Sequence, residues 1–193
     1  MGVGWGLFNP WVSLLEVRHG AVYFFGGACG ALGVARRVAG WGRLLVSGLV
    51  SLREVLDSDL PVFFEHQRDS ESNEMAGLAT RESQAFDEHW EKIRADGTIY
   101  LRAVIHRELV AGHVVSWQVE GKRFVGYWIG RELWGRGLAS KGLKCLLIVV
   151  RERPLNARVS FDNTGSMRVL EKNGFVMLPA DEQDPYVRAF VLH

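Results

Sequence analysis

A mixed α/β fold, with a central sheet of six to seven strands and helices on both faces, is what this sequence predicts. Three observations carry the prediction. Three strand-like runs follow one another across the short linkers HRE and EGK; a glycine turn opens an apolar helix; and strand and helix alternate after it. Short linkers give an antiparallel meander, whereas the helix after the turn returns the chain to a parallel strand. The sheet is therefore mixed, with an α+β character.

The first strand is read in LVSLREV, from Leu49. DSDLPVFFEHQRD follows as a helix, with Asp59 as cap and Pro61 in the first turn, where a missing N–H costs nothing. SNEMAGLATRESQ reads as a loop or a short helical piece. SQAFDEHWEKIRADG is a helix capped by Ser83, with Phe86, Trp90 and Ile93 on one face and Gly97 past its end. TIYLRAVI, ELVAGHVVSWQV and RFVGYWIG form the meander. A helix from about Arg136 to Arg153 comes next, with Ala139, Leu143, Leu146, Leu147 and Val150 as its apolar stripe and Pro154 closing it. NARVSF is a strand, TGSMRVLEKNGF a helix ending at Asn173-Gly174, and GFVML and YVRAFVL are the last strands.

Composition bounds the class. The chain has 193 residues, 48% hydrophobic and 23% charged, enough for one globular core. Net charge is +1, which gives no reason to expect nucleic acid or an anionic membrane as partner. Cys29 and Cys145 form neither a disulfide framework nor a metal motif, and read as reduced, packed, cytoplasmic cysteines. Residues 1–48 differ from the rest. They hold 11 of the 22 glycines and carry +3, from four Arg and one Glu, leaving −2 for the remainder. Their apolar run Gly20–Ala35 is shorter than the ~20 residues that span a bilayer. Their first charge is Glu16, unlike the basic start of a secretory signal. We expect 1–48 to be a poorly ordered glycine-rich extension, or the product of an upstream start site, and 49–193 to be the functional domain.

The chemistry concentrates in WGRGLA, Trp134–Ala139. A helix N-terminus offers unpaired N–H groups and partial positive charge, and small residues let an anion reach them. This is not a Walker loop, since no Gly-Lys-Ser/Thr follows, and G-x-G-x-x-G is absent too. The turn alone fits a phosphate cradle and a tight strand-to-helix connection equally well.

WGRGLA together with DNTGSMRVLEKNGF, Asp162–Phe175, resembles the GNAT family of N-acetyltransferases, whose signature at this turn is Gln/Arg-x-x-Gly-x-Gly/Ala. Gly137 and Ala139 match it, and Trp134 stands where the family has Gln or Arg. SLREVLDSDLPVFFEHQRDSESNEMA resembles the opening of its ribosomal-protein-alanine (RimJ/RimL-like) branch. The resemblance covers about Leu49–Leu192. It implies a sheet splayed around acetyl-CoA as co-substrate, with no metal. It places the pyrophosphate on the backbone of Trp134, Gly135, Arg136, Gly137, Leu138 and Ala139, and pantetheine along Trp128, Ile129 and Gly130. A main-chain N–H near Ile129 would polarise the thioester carbonyl. Asn163 would bind pantetheine and Ser166 would lie near the sulfur, although the same two residues read equally as an N-cap box. Many members protonate the leaving thiolate with a Tyr in this helix; here Leu170 takes that place, and Ser166 or a water is the substitute.

The acceptor is expected to be a primary amine, on a protein N-terminus or a small molecule, drawn weakly if cationic by the −2 domain. Glu65, His66, His113 and Ser116 are the candidate bases, none preferred over a structural role. Trp117, Tyr127 and Trp128 are candidate walls, or core. Two alternatives stand beside the enzyme: a non-catalytic CoA-binding domain and a nucleotide-phosphate binder. A monomer or homodimer is expected.

Overall fold

The structure, a computed structural model, describes residues 44–46, 50–182 and 184–193. The expectations for residues 1–43, Cys29 included, lie outside the described residues.

Among the described residues eight strands form one sheet in the order β1-β2-β3-β4-β5-β6-β8-β7. They are β1 Leu44–Val46, β2 Val50–Arg53, β3 Tyr100–His106, β4 Leu109–Val119, β5 Lys122–Ile129, β6 Leu155–Ser160, β7 Val176–Met177 and β8 Val187–Leu192. All neighbours are antiparallel except β5 and β6. The meander and the parallel return read from sequence are both present. The strand beyond the expected seven is β1, from the glycine-rich extension, which pairs with β2.

Among the described residues five α-helices cover the sheet: α1 Leu60–Arg68, α2 Ser70–Ala76, α3 Ser83–Ala95, α4 Leu138–Val149 and α5 Thr164–Lys172. Period-2 alternation sends successive strand residues to two cores. Val104 and Val114 face the α4–α5 side with Leu143, Leu146 and Phe190. Ala103, Ile105 and Val115 face the α1–α3 side with Phe63, Phe86, Trp90 and Ile93. A sheet buried on both faces accounts for the near-continuous apolar run in β4.

Several boundaries differ from the sequence reading. α4 starts at Leu138, because Gly137 takes φ +70°, outside the helical region. It ends at Val149, where Val150 turns extended four residues before Pro154. Ser83 is the first residue of α3 and Glu82 its cap position. Asp59 does not cap α1 with its side chain. It is buried, pairs with the Arg53 guanidinium at 2.5 and 2.8 Å, and accepts from the Leu56 N–H at 2.8 Å. Burial alone would raise its pKa; the Arg53 and Leu56 hydrogen bonds outweigh that and lower it. The pair pins the end of β2 to the entry of α1.

Candidate functional site

The sheet opens between β5 and β6. These neighbours pair only at Arg123 with Leu155 and at Phe124 with Asn156, although β5 runs on to Ile129 and β6 to Ser160. Beyond Phe124, β5 pairs with β4 alone, up to Ile129 opposite Gly112. In an antiparallel ladder, alternate residues direct both N–H and C=O to the same neighbour. Gly130 N–H donates to the Ala111 carbonyl at 3.0 Å, so the even-numbered residues turn to β4. Val125, Tyr127 and Ile129 therefore turn their backbone groups to the gap. Two bonds agree: Asn156 Nδ2 donates to the Arg123 carbonyl at 3.0 Å, and Trp134 Nε1 to the Ile129 carbonyl at 2.8 Å.

A cavity of about 610 Å³ runs through this gap from one face of the sheet to the other. On the α4–α5 face it is lined by Trp134, Gly135, Gly137, Leu138 and Ala139, and by Asn163 and Ser166 of α5. Gly135 and Gly137 take φ of +75° and +70°, and a Cβ at either would meet nothing within 4 Å. The glycines are there for backbone conformation, which leaves the turn open in front. No side chain caps α4, and the first backbone bond into it is Lys141 N–H to the Gly137 carbonyl. The N–H groups of Leu138, Ala139 and Ser140 are thus orphan donors at the positive end of a helix dipole.

Gly130 and Arg136, also expected at this site, do not line the cavity. Arg136 Nη2 donates to the Glu132 carbonyl at 3.3 Å on the surface. Gly130 lies beneath His66, whose Nε2 would stand 2.5 Å from a Cβ there. Trp128 and Ile129 line the cavity from β5. Asn163 is an N-cap: its Oδ1 accepts from Ser166 N–H at 2.9 Å, and its Nδ2 donates to the Met75 carbonyl at 3.0 Å. Leu170 is buried in the core. Tyr127, read from sequence as a wall or a core residue, crosses the gap and donates its hydroxyl to the Ser166 carbonyl at 3.1 Å.

On the α1–α3 face the lining is aromatic and basic. Trp90, Trp117, Trp128 and His113 line it, with His89 and Arg81. Trp90 stacks on Phe63 at 4.8 Å and meets His113 edge-on at 5.0 Å. Burial pushes His113 down to about 3, with His66 and His89 adding to it. Burial, with Arg81 and Lys92 beside it, pushes His89 down to about 3 as well. Both imidazoles are neutral at pH 7. Five buried polar atoms on lining residues have no hydrogen-bond partner among the described residues: Gln67 Oε1, Ser72 Oγ, Trp90 Nε1, His113 Nδ1 and Trp128 Nε1.

Of the four candidate bases only His113 lines the cavity. Glu65 lies on the surface, paired with Arg68 at 3.2 Å. His66 faces Glu132 at 3.4 Å, and burial lowers its pKa against the pull of that carboxylate. Ser116 is enclosed in the sheet.

Among the described residues no Asp or Glu lines the cavity, whereas Arg81, Arg158, Arg168 and Lys172 do. Arg158 is tied to Asp184. The acidic residues behind the domain's −2 charge therefore lie away from the lining of this cavity, among the described residues. Sequence reasoning missed Arg81, which sits in the α2–α3 loop with no motif around it. Among the described residues no group of three or more His, Cys, Asp or Glu is placed to hold a metal ion, and no helix is long and apolar enough to cross a membrane.

The family model described as "Acetyltransferase (GNAT) domain" matches residues 50–176. No curated protein matches the chain by sequence. Among solved structures, the ribosomal L7/L12 α-N-protein acetyltransferase RimL in complex with coenzyme A is similar at 17% identity and a TM-score of 0.67, covering 78% of this chain and 97% of that one. The acetyltransferase from Salmonella typhimurium that modifies the N-terminal serine of ribosomal protein L7/L12 gives 17% and 0.66 over 78% and 98%. Spermidine N-acetyltransferase from Vibrio cholerae, with CoA and spermine, gives 16% and 0.65 over 75% and 95%. At these identities the likeness is one of fold.

Proposed function

The chain belongs to the GNAT acetyltransferase family, and from that premise we propose how its residues carry acetyl transfer from acetyl-CoA to a primary amine. The observation that carries the reading is the cavity that passes through the sheet at the β5–β6 gap, joining the uncapped turn of α4 to the aromatic end. A donor can enter from one face and an acceptor from the other, so that they meet in the gap.

The N–H groups of Leu138, Ala139 and Ser140 hold the pyrophosphate, with Arg168 and Lys172 adding positive charge along α5. The free edge of β5 pairs with the pantetheine amides as an added strand. The Ile129 N–H, turned to the gap, donates to the thioester oxygen as negative charge develops there, which contributes a few kcal/mol. The amine nitrogen bonds to the acetyl carbon and the C–S bond breaks. The proton for the departing thiolate comes from the Ser166 hydroxyl, which regains one from water, with the Tyr127 phenol beside it. A cavity with no carboxylate among its described lining residues and holding an arginine disfavours an ammonium, so the amine reacts neutral and its proton leaves through water. Cytoplasmic residence and a monomeric or homodimeric state go with this reading.

Acetyl-CoA, desulfo-CoA and ATP at equal concentration separate this site from a generic phosphate site by thermal shift. A ligand at 100 times its dissociation constant stabilises by about 2.7 kcal/mol. Both CoA compounds should raise Tm and ATP should not; an equal rise with ATP contradicts the reading. Leu170 in the place of the family's tyrosine favours a second reading, a CoA-binding domain without turnover, which an absence of CoA release with every amine supplied would support.

A further inference from the structure

We propose that the acceptor carries a carboxylate close to its amine, and that Arg81 is the residue that selects it. This rests on the acetyl-transfer reading above and narrows it to one chemical class.

Arg81 lies in the loop between α2 and α3 and lines the aromatic end of the cavity, within electrostatic reach of His89. It is half-buried, and burial lowers its pKa. Among the described residues no carboxylate forms an ion pair with it, although eight of the chain's arginine and histidine contacts with acids are formed elsewhere. A guanidinium partly removed from water without a counter-charge is costly unless something supplies one. Among the described residues the cavity lining offers no anion: no Asp or Glu lines it, and His89 and His113 are neutral. Arg168 and Lys172 lie on α5, across the sheet at the donor end, so among the described lining residues Arg81 is the cation without an ion pair on the acceptor side.

A planar fork of donors matches a carboxylate in bidentate fashion. The rings of Trp90 and Trp128 line the same end. Such a site repels a polyamine and attracts an amine whose carrier is anionic. Two sources share that chemistry: a free amino acid, through its α-carboxylate, and a peptide N-terminus with an acidic side chain in its first residues.

The test compares matched acceptors on the full-length protein with saturating acetyl-CoA. The pairs are an amino acid with its carboxamide, and peptides with Glu or Gln at the second position, with spermine as the cationic control. The expected result is a kcat/KM about 10- to 100-fold higher for the carboxylate member of one pair, and little turnover of spermine. Whichever pair shows the ratio identifies the source. Arg81→Ala should collapse the ratio towards one, Arg81→Lys should restore part of it, and Arg81→Glu should reverse it in favour of spermine. An acetyl-CoA thermal shift like that of the unmodified protein shows that each variant is folded. Equal turnover of both members in both pairs, or a ratio that survives Arg81→Ala, overturns the proposal while leaving acetyl transfer intact. Should no amine be turned over, binding of the same pairs to the CoA-loaded protein decides the matter. Arg81-dependent binding of the carboxylate member then supports the proposal and sinks only the catalytic reading, and equal binding overturns it.

Discussion

The indole N–H of Trp134 donates to the main-chain carbonyl of Ile129 at 2.8 Å. This bond ties the glycine turn to the free end of β5. It consumes the carbonyl of Ile129 while leaving its N–H to the gap. It also fixes the separation between the orphan N–H groups of α4 and the N–H proposed to polarise the thioester. In this chain Trp134 stands where the family signature has Gln or Arg, both also side-chain N–H donors, so the departure from the signature keeps a donor at that position.

Trp134→Phe keeps the ring and removes that donor. One neutral hydrogen bond contributes about 0.5–1.5 kcal/mol, so the KM for acetyl-CoA should rise about fivefold. Steady-state kinetics against acetyl-CoA checks this. An unchanged KM would mean that the bond does not set the geometry of the turn.

Gly137→Ala puts a Cβ on a residue at φ +70° in open space. The cost is conformational, about 1–2 kcal/mol, and appears as a lower midpoint in denaturant unfolding. Because the strain sits at the entry of α4, acetyl-CoA affinity should fall with it. If stability falls while affinity holds, the orphan N–H groups are not the phosphate cradle.

Ser166→Ala keeps the N–H that Asn163 accepts and removes only the hydroxyl, so α5 stays capped. Loss of a general acid typically costs 100-fold or more. We expect a fall of about that size in kcat with little change in the KM for acetyl-CoA. Tyr127→Phe, which removes the bond to the Ser166 carbonyl, should cost about tenfold. A kcat unaffected by either change would assign the thiolate's proton to solvent.

Stability should depend on His113 and His89. Both are held near 3 in the folded protein against an ordinary 6.5. Between about 6.5 and about 3 the unfolded chain binds protons that the folded chain refuses. Stability is therefore full above pH 6.5 and falls as the pH drops through that window. Unfolding midpoints measured from pH 7.5 to 4.5 should show this decline, and His113→Gln should flatten it by about one proton. The same neutrality means that kcat/KM should show no limb belonging to His113 near pH 6.5.

Much of the fold was legible because it is written in local patterns. The meander follows from alternation and short linkers, and α3 from Phe86, Trp90 and Ile93, which are all buried. The glycine turn was legible because positive φ is demanded by the backbone itself. The β5–β6 gap was expected only through the family resemblance, since the place where two strands stop pairing leaves no mark in either strand's periodicity. Asp59 reads as a helix cap by position, but the partner that claims it, Arg53, lies on the preceding strand. Arg81 was not legible at all. A lone arginine in a polar loop looks solvated until the fold brings His89, Trp90 and His113 around the same cavity.

The most direct test of the central claim, that the cavity through the sheet joins an acetyl donor to an amine, is the rate of CoA thiol release from acetyl-CoA with a panel of primary amines. Release above the amine-free rate, with acetylated amine found by mass spectrometry in equal amount, is the expected result. Binding of acetyl-CoA with no release above background for any amine would contradict it.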